Sequence, residues 1–244
     1  MTLIEAFDIR AGDLISIVGG GGKSSLLFGI ERAWLGNVVV TMTTRIFAAQ
    51  VTRARASLTL ADVNQLGEKL ATHRSCLVIG ETEGDKAKGV SAEIPHQLLT
   101  RPDVDIVAVE ADGSRMRPVK APAAHEPVIA SGTTLGIVVV GIDALEGSID
   151  TVAHRPKRVA NLTQLTPNDT LTAECLTTLL TDPRGGLKSM PDQARIAICI
   201  NKVDSAERQR QATAVAKKLM ETGKVERVVL TMFQPAFAVQ ALFR

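Results

Sequence analysis

The sequence predicts an α/β fold: three layers, with a mostly parallel sheet covered by helices on both faces. Two observations predict it. Short apolar runs, among them LISIV after Asp13, NVVVTM at 37–42, SCLVI at 75–79, VDIVAV at 104–109, LGIVVV at 135–140 and RIAICI at 195–200, are near-continuous and rich in β-branched residues. Strands buried on both faces read this way, whereas half-exposed strands alternate. Between the runs lie stretches with helical spacing, so strands and helices alternate along the chain.

Taken in order, a first strand at 13–18 enters a glycine run at 19–22. A helix at 23–34 follows, with Leu26, Leu27, Ile30 and Ala33 on one face and Trp34 placed in the core. The second strand is 37–42. A helix at 60–71 carries Leu60, Val63, Leu66 and Leu70, and Ser75–Ile79 is the third strand. The polar, glycine-containing stretch 80–90 reads as a loop or hairpin, and 92–99 as a short helix. Strands at 104–109 and 135–140 come next. A mostly helical stretch, 157–180, is broken by the turn signal Pro167 and Asn168. The strand at 195–200, an amphipathic helix over Ala206–Glu221 and a seventh strand at 226–232 complete the series.

With 244 residues the chain fits one α/β domain over 1–244, with a helical insertion expected at about 151–191. Its 28 Lys and Arg against 26 Asp and Glu leave a formal charge of +2, which argues against a protein held on nucleic acid by bulk charge. Aromatic residues are 3% and Tyr is absent, so a base-stacking platform is not expected. No run approaches the roughly 18 apolar residues that span a bilayer. The N-terminal stretch lacks the pattern of a secretion signal, so the expectation is a cytoplasmic protein away from membranes. Cys76, Cys175 and Cys199 have no metal-ligand spacing and read as reduced structural thiols.

The strongest chemical signal is GGGGKSS, Gly19, Gly20, Gly21, Gly22, Lys23, Ser24 and Ser25, between a strand and a helix. Backbone N–H groups that converge at a helix N-terminus bind phosphate, and glycine lets the backbone come close. Lys23 supplies a point charge for the β- and γ-phosphates, and the Ser24 hydroxyl is placed to ligate Mg2+. The fold expected is therefore P-loop NTPase-like, within the wider Rossmann-like class. The standard P-loop has a glycine where this chain has Ile17. The remaining GxxGKS resembles the compact phosphate loop of the Mur ligase and folylpolyglutamate synthase group.

An apolar strand ending in Glu110 and Asp112 reads as a second metal-site component. Residues i and i+2 of a strand share a side, so both carboxylates can face one Mg2+ or orient water. Arg115, Arg117 and Lys120 follow, stiffened by Pro118 and Pro122, as a basic loop in which Arg115 or Arg117 is a candidate for stabilising a transition state. Thr43 and Thr44, at the end of the second strand, are candidates to reach phosphate or metal. NKVD, with Asn201, Lys202 and Asp204, follows the strand at 195–200 and resembles the guanine-specificity motif of GTPases. A buried Asp that bonds the guanine N1–H and amine is left unpaired by adenine. The same residues also fit a helix start, with Asp204 or Ser205 as N-cap. His125–Glu126 and His154–Arg155–Pro156 are further polar clusters, and no pair of histidines has i,i+4 metal spacing.

With GGGGKSS, VEADGSRMRPVKAPAAHEPVI, HRP and NKVD in that order, the chain resembles the YqeC family, described as the selenium-dependent molybdenum hydroxylase accessory protein. The resemblance runs from residue 14 to about 231. It implies a nucleotide-binding protein that helps mature a selenium-dependent molybdenum enzyme, with that client or its maturation factors as partner.

The leading expectation is a Mg2+-dependent NTPase that prefers GTP to ATP. Residues 19–25 would hold the triphosphate, Glu110 and Asp112 the metal or water, and Asn201, Lys202 and Asp204 the base. One alternative is a carrier that holds a nucleotide or a molybdopterin dinucleotide without turnover. The other is an ATP-dependent ligase or kinase. Glu110, Asp112 and His125 are all candidates for the catalytic base, and a homodimer with an Arg supplied in trans is left open.

Overall fold

The structure, a computed structural model, describes residues 1–47, 51–83, 86–233 and 238–244. Nine strands form one sheet: β1 (Leu14–Gly19), β2 (Val38–Met42), β3 (Ser57–Thr59), β4 (Ser75–Ile79), β5 (Ile106–Glu110), β6 (Leu135–Gly141), β7 (Arg195–Asn201), β8 (Arg227–Met232) and β9 (Ala238–Phe243). Their order is β9-β8-β7-β6-β1-β5-β2-β4-β3. Every neighbouring pair is parallel except β8–β9. The main helices are α1 (Leu3–Phe7), α2 (Lys23–Ala33), α3 (Leu66–His73), α4 (Ile94–Leu99), α5 (Pro156–Thr163), α6 (Ala173–Thr181) and α7 (Ala206–Glu221).

The continuous apolar runs are explained by where alternate side chains go. Ile15, Ile17, Val38, Val40, Ile137 and Val139 pack on one face with Leu26, Leu27 and Ile30 of α2 and Phe7 of α1. On the other face, Val138, Val140, Ile198 and Ile200 meet Leu176 and Leu179 of α6 and Val215 and Leu219 of α7. Val39, Val78, Val107 and Val109 meet Leu66 and Leu70 of α3 and Leu98 of α4. Successive residues of a strand point to opposite faces, and here both faces are dry, so both sets are apolar. The helices expected beside the sheet at about 151–191 bring Val159, Ala160, Leu176 and Leu180 into the same cluster as α7.

The order of connections positions the site. From β1 the chain passes over β5 to reach β2, while from β5 it crosses to β6 on the other side of β1. Connections thus leave β1 and β5 in opposite directions, and the crevice at the carboxyl ends of such strands is where open α/β sheets bind ligands. The glycine run leaves β1 at this point.

Several elements differ from the sequence expectation. The helix at 60–71 is a 3-10 turn over Leu60–Gln65 followed by α3, with a kink at Asp62 (φ −100°, ψ 16°). Asp62 accepts a hydrogen bond from Thr59 Oγ1 at 2.5 Å, a local side-chain contact that competes with helical geometry. The stretch 80–90 contains a hairpin, Thr82–Glu83 with Lys86–Ala87, to which Ile46–Phe47 adds a third short strand; its residues 84–85 lie outside the described residues. α1, β3 and β9 are additional. Trp34 is partly buried against the same cluster as α2, its indole N–H without a hydrogen bond among the described residues. The three cysteines are free thiols, and burial pushes Cys76 up to about 11 and Cys199 up to about 12. Among the described residues no helix is long and apolar enough to cross a membrane.

α7 forms over the residues expected of it. Ser205 caps it, its Oγ accepting the Arg208 N–H at 3.2 Å, and Leu219 is fully buried. Leu219→Ala should cost about 2–5 kcal/mol, against about 1 kcal/mol for Ser205→Ala. Urea unfolding checks this: equal midpoint shifts would show that packing does not dominate α7.

Candidate functional site

β1 ends at Gly19, and the chain turns through Gly20 and Gly21 to Gly22, the N-cap of α2. The turn is wedged between the end of β6 and the segment before Pro118. Gly21 has φ +74°, and a Cβ there would run into the backbone of Gly141; one on Gly19, at φ +100°, would run into the Val139 carbonyl. Only glycine meets both demands. The Gly20 N–H donates to Val139 O at 2.8 Å and the Gly21 N–H to Arg117 O at 3.0 Å. α2 then begins at Lys23 with no side-chain cap on its first turn, so the positive end of the helix faces the crevice.

Two carboxylates converge on this turn. Glu110 closes β5, in register with Ile17 of β1 and Met42 of β2, and its Oε2 accepts the Ser24 hydroxyl at 2.7 Å. Asp112 Oδ2 accepts the Gly19 N–H at 3.2 Å. Lys23 Nζ donates to Gly19 O at 2.8 Å and lies 3.3 Å from Asp112 Oδ1 and 3.7 Å from Glu110 Oε1. Both carboxylates therefore face the Lys23 ammonium, although the strand stops at Glu110 and Asp112 lies in the chain beyond it rather than at a strand position i+2. Asp112 Oδ1 is buried and, although near Lys23, has no hydrogen bond of good geometry.

The network continues away from the glycines. Lys120 Nζ is 3.0 Å from both Asp112 Oδ2 and Glu126 Oε2 and donates to Gly113 O at 2.8 Å. Glu126 Oε1 accepts from Arg155 at 2.9 Å. The result is a row of alternating sign: Lys23, Asp112, Lys120, Glu126, Arg155. Lys23, Asp112 and Lys120 are only 3%, 2% and 6% exposed, and ions that deep persist only when paired. Burial pushes the Glu126 carboxyl up, but the bonds from Arg155 and Lys120 outweigh it and hold the group down at about 2.

The basic loop expected at 115–120 is thus divided. Lys120 is buried, whereas Arg115 and Arg117 are exposed, and the Arg117 guanidinium donates to Thr151 O. It is the Arg117 carbonyl that touches the glycine turn. Asn201 does join the turn: its Nδ2 donates to Gly21 O at 2.7 Å, and its Oδ1 accepts from Thr231 at 3.2 Å. The rest of NKVD is engaged elsewhere. Lys202 pairs with Asp143 at 2.6 Å, and Asp204 accepts from Arg208 at 2.9 and 3.0 Å, while Arg208 is also held by both oxygens of Glu146. Thr43 Oγ1 donates to Val128 O at 2.7 Å, so that hydroxyl is spent on backbone. Thr44 and Ser25 are half-buried, and His125 is exposed outside the row.

The site therefore unites Gly19–Gly22, Lys23, Ser24, Glu110, Asp112 and Asn201. The contributions of Lys120, Glu126 and Arg155 were not legible as one unit, because their contacts run across a loop. Asp204–Arg208 did carry a signal, opposite charges four apart at a helix start. Among the described residues no group of three or more His, Cys, Asp or Glu forms a ready metal cage. Ser24, Glu110 and Asp112 offer only oxygens, the donor set that suits Mg2+ once phosphate and water complete the shell.

The family model described as YqeC protein matches residues 15–157. This stretch includes the glycine turn, both carboxylates and Arg155, and stops short of NKVD. A protein of Escherichia coli (strain K12) named "Uncharacterized protein YqeC" is 33% identical over 200 residues, which cover 80% of this chain and 77% of that one.

The depressed Glu126 carboxyl has a consequence for stability. Its folded value, about 2, lies below its ordinary 4.5, so its contribution is complete above pH 4.5 and is lost as pH falls toward 2. Glu126→Gln should therefore lose stability relative to wild type at pH 7, and the difference should shrink by pH 3. Urea midpoints of both proteins at the two pH values test it; a difference independent of pH would remove the ion pairs as its cause.

Proposed function

The chain belongs to the YqeC family, and we propose that it binds a nucleoside triphosphate with Mg2+ on the turn 19–25 and hydrolyses it. The observation that carries this reading is the convergence of Lys23, Ser24, Glu110 and Asp112 on a glycine turn at an uncapped helix start. A phosphate chain there would meet the α2 N-terminus and the Lys23 ammonium. Ser24, Glu110 and Asp112 would hold Mg2+, which supplies charge neutralisation between phosphate oxygens.

Charge balance supports the metal requirement. Lys23, Lys120 and Arg155 are matched by Glu110, Asp112 and Glu126. A bare triphosphate would bring excess negative charge beside Glu110 and Asp112, and a divalent cation offsets it. The two carboxylates are then also the groups placed to orient water.

Guanine preference is the finer part of the proposal. Asp204 would have to leave Arg208 to meet a base. Its side chain is 47% exposed, an exposed pair is worth about 0–1 kcal/mol, and Arg208 would keep Glu146. The exchange is therefore inexpensive. A carrier that holds a nucleotide or molybdopterin dinucleotide without turnover is the second reading. It is favoured by one observation: the exposed Arg115 side chain makes no hydrogen bond or ion pair with any described residue, and the Arg117 head group is turned to Thr151. Neither arginine is held at the turn. In both readings the partner is the one implied by the family resemblance, a selenium-dependent molybdenum hydroxylase or its maturation factors, and hydrolysis or binding would gate that contact.

Calorimetry with GTP and ATP, each with and without Mg2+, tests the proposal on wild type, Lys23→Ala and Ser24→Ala. Mg2+-dependent binding is expected, weakened at least tenfold by either substitution. Circular dichroism guards against the case in which Lys23→Ala, by unpairing buried carboxylates, unfolds the chain; Ser24→Ala disturbs no ion pair. Failure of both nucleotides to bind overturns the reading. For the base, Asp204→Asn should reduce the GTP-to-ATP affinity ratio at least tenfold, and an unchanged ratio removes Asp204 as the discriminator. Phosphate release separates enzyme from carrier: binding with no turnover, with or without the client hydroxylase, selects the carrier.

A further inference from the structure

Outside the glycine turn, the described residues line an open cavity of about 360 Å3, among them Arg115, Arg117, Asp150, His154, Arg155 and Pro156. That volume is near the lower end of the roughly 300–1,000 Å3 of small-molecule sites. Its lining sets three guanidinium groups against one carboxylate. Each of the three has unused donors. Arg115 makes no hydrogen bond or ion pair with another described residue, and the Arg155 Nε–H is buried without a partner although its Nη2 bonds Glu126.

The walls are held in place. The short strand Val119–Lys120 pairs in parallel with Ala153–His154, with His154 opposite Lys120. Arg117 crosses to the Thr151 carbonyl and fastens one rim to the other. Arg115, Met116 and Arg155 have φ of 48°, 60° and 66°, a left-handed backbone that is unfavourable for such side chains. Two of these three, Arg115 and Arg155, line the cavity, and such strain gathers at ligand sites. α5, which starts at Pro156, has no side-chain cap and adds the positive end of its dipole.

We propose that this cavity is a second anion site, distinct from the glycine turn, and that it takes the phosphate or diphosphate group of a small organic ligand. Guanidinium forks match phosphate oxygens in pairs, which favours phosphate over a single carboxylate. Asp150 on the same wall accepts a hydrogen bond from a hydroxyl or amine next to that phosphate and turns away a ligand that is anionic throughout. The two sites are back to back, because Arg117 gives its carbonyl to Gly21 and its guanidinium to the cavity. Burial, together with Arg155, Lys120 and Arg115, holds His154 below its usual range against the opposing pull of Glu126, and an anion in the cavity would pull the same way as Glu126. The inference does not rest on the nucleotide reading.

The test uses inorganic pyrophosphate as probe on the full chain, by calorimetry, with and without a saturating non-hydrolysable GTP analogue and Mg2+. One pyrophosphate is expected to bind with similar affinity under both conditions, and any second one, at the empty glycine turn, should be lost when the analogue is bound. Arg115→Glu, at an exposed position without a hydrogen bond or ion pair to any described residue, should weaken the first at least tenfold. His154, one of four histidines, should titrate higher in the presence of the probe when followed by NMR and assigned by its loss in His154→Gln. Absence of pyrophosphate binding when the GTP analogue is bound, or indifference of that binding to Arg115→Glu, overturns the proposal. If the analogue does not bind while pyrophosphate binds and responds to Arg115→Glu, the nucleotide reading falls and this site stands.

Discussion

Two lysines, Lys23 and Lys120, are buried in one site, and the surrounding architecture answers to that constraint. A buried ammonium without a counter-charge is not tolerated, so each needs carboxylates on hand. Asp112 lies between the two and is shared by them, Glu110 serves the first and Glu126 the second. Bringing Glu126 and Lys120 back to Asp112 obliges residues 113–126 to fold over the carboxyl ends of β5 and β6. That return places the Arg117 carbonyl on the glycine turn and aligns Val119–Lys120 with Ala153–His154. Removing one member of such a row leaves its neighbour charged and buried, at a cost of about 3–5 kcal/mol, although the complete row contributes little net stability. The row specifies the arrangement more than it strengthens it.

The turn is held from several directions before any ligand arrives. β6 takes the Gly20 N–H through Val139, the returning loop takes the Gly21 N–H, and Asn201 at the end of β7 takes the Gly21 carbonyl. Asn201 is fixed in turn by Thr231 of β8. Four adjacent strands therefore determine one short turn. A turn ordered in this way would lose little conformational freedom to a ligand seated on it. It also explains why NKVD divides as it does: its Asn belongs to the turn, while its Lys and Asp pair with neighbours that the end of β6 and the start of α7 supply.

What the sequence made legible follows from how local each interaction is. The strands of the inner sheet were readable because both faces are dry and the apolar run is unbroken. α7 was readable to its ends because Ser205 caps it and four buried positions recur at helical spacing. β3 has three residues and β9 is only partly buried along its length, so neither forms a run that stands out. α1 carries a capping box between Thr2 and Glu5, but five residues are too few to show a period. At the site, Gly19–Ser25, Glu110 and Asp112 lie at strand ends where chemistry is expected. In the sequence Lys120 reads as one of three cations of a stiff basic loop, because nothing in its immediate neighbours announces that Asp112 and Glu126 enclose it. Arg155 joins the row only through a strand pairing between distant segments.

Arg117 has two faces, and its placement sets a rule for how the glycine turn and the arginine-lined cavity behave together. Its main chain is a partner of one and its side chain a wall of the other, so neither region can rearrange at this residue without the other registering it. Thermodynamic linkage then requires reciprocity: whatever factor an occupant of the cavity imposes on affinity at the turn, an occupant of the turn imposes on the cavity. For two occupants that bind with similar affinity in each other's presence that factor is close to one, and the Arg117 peptide would then act as a fixed partition between the two regions rather than as a relay.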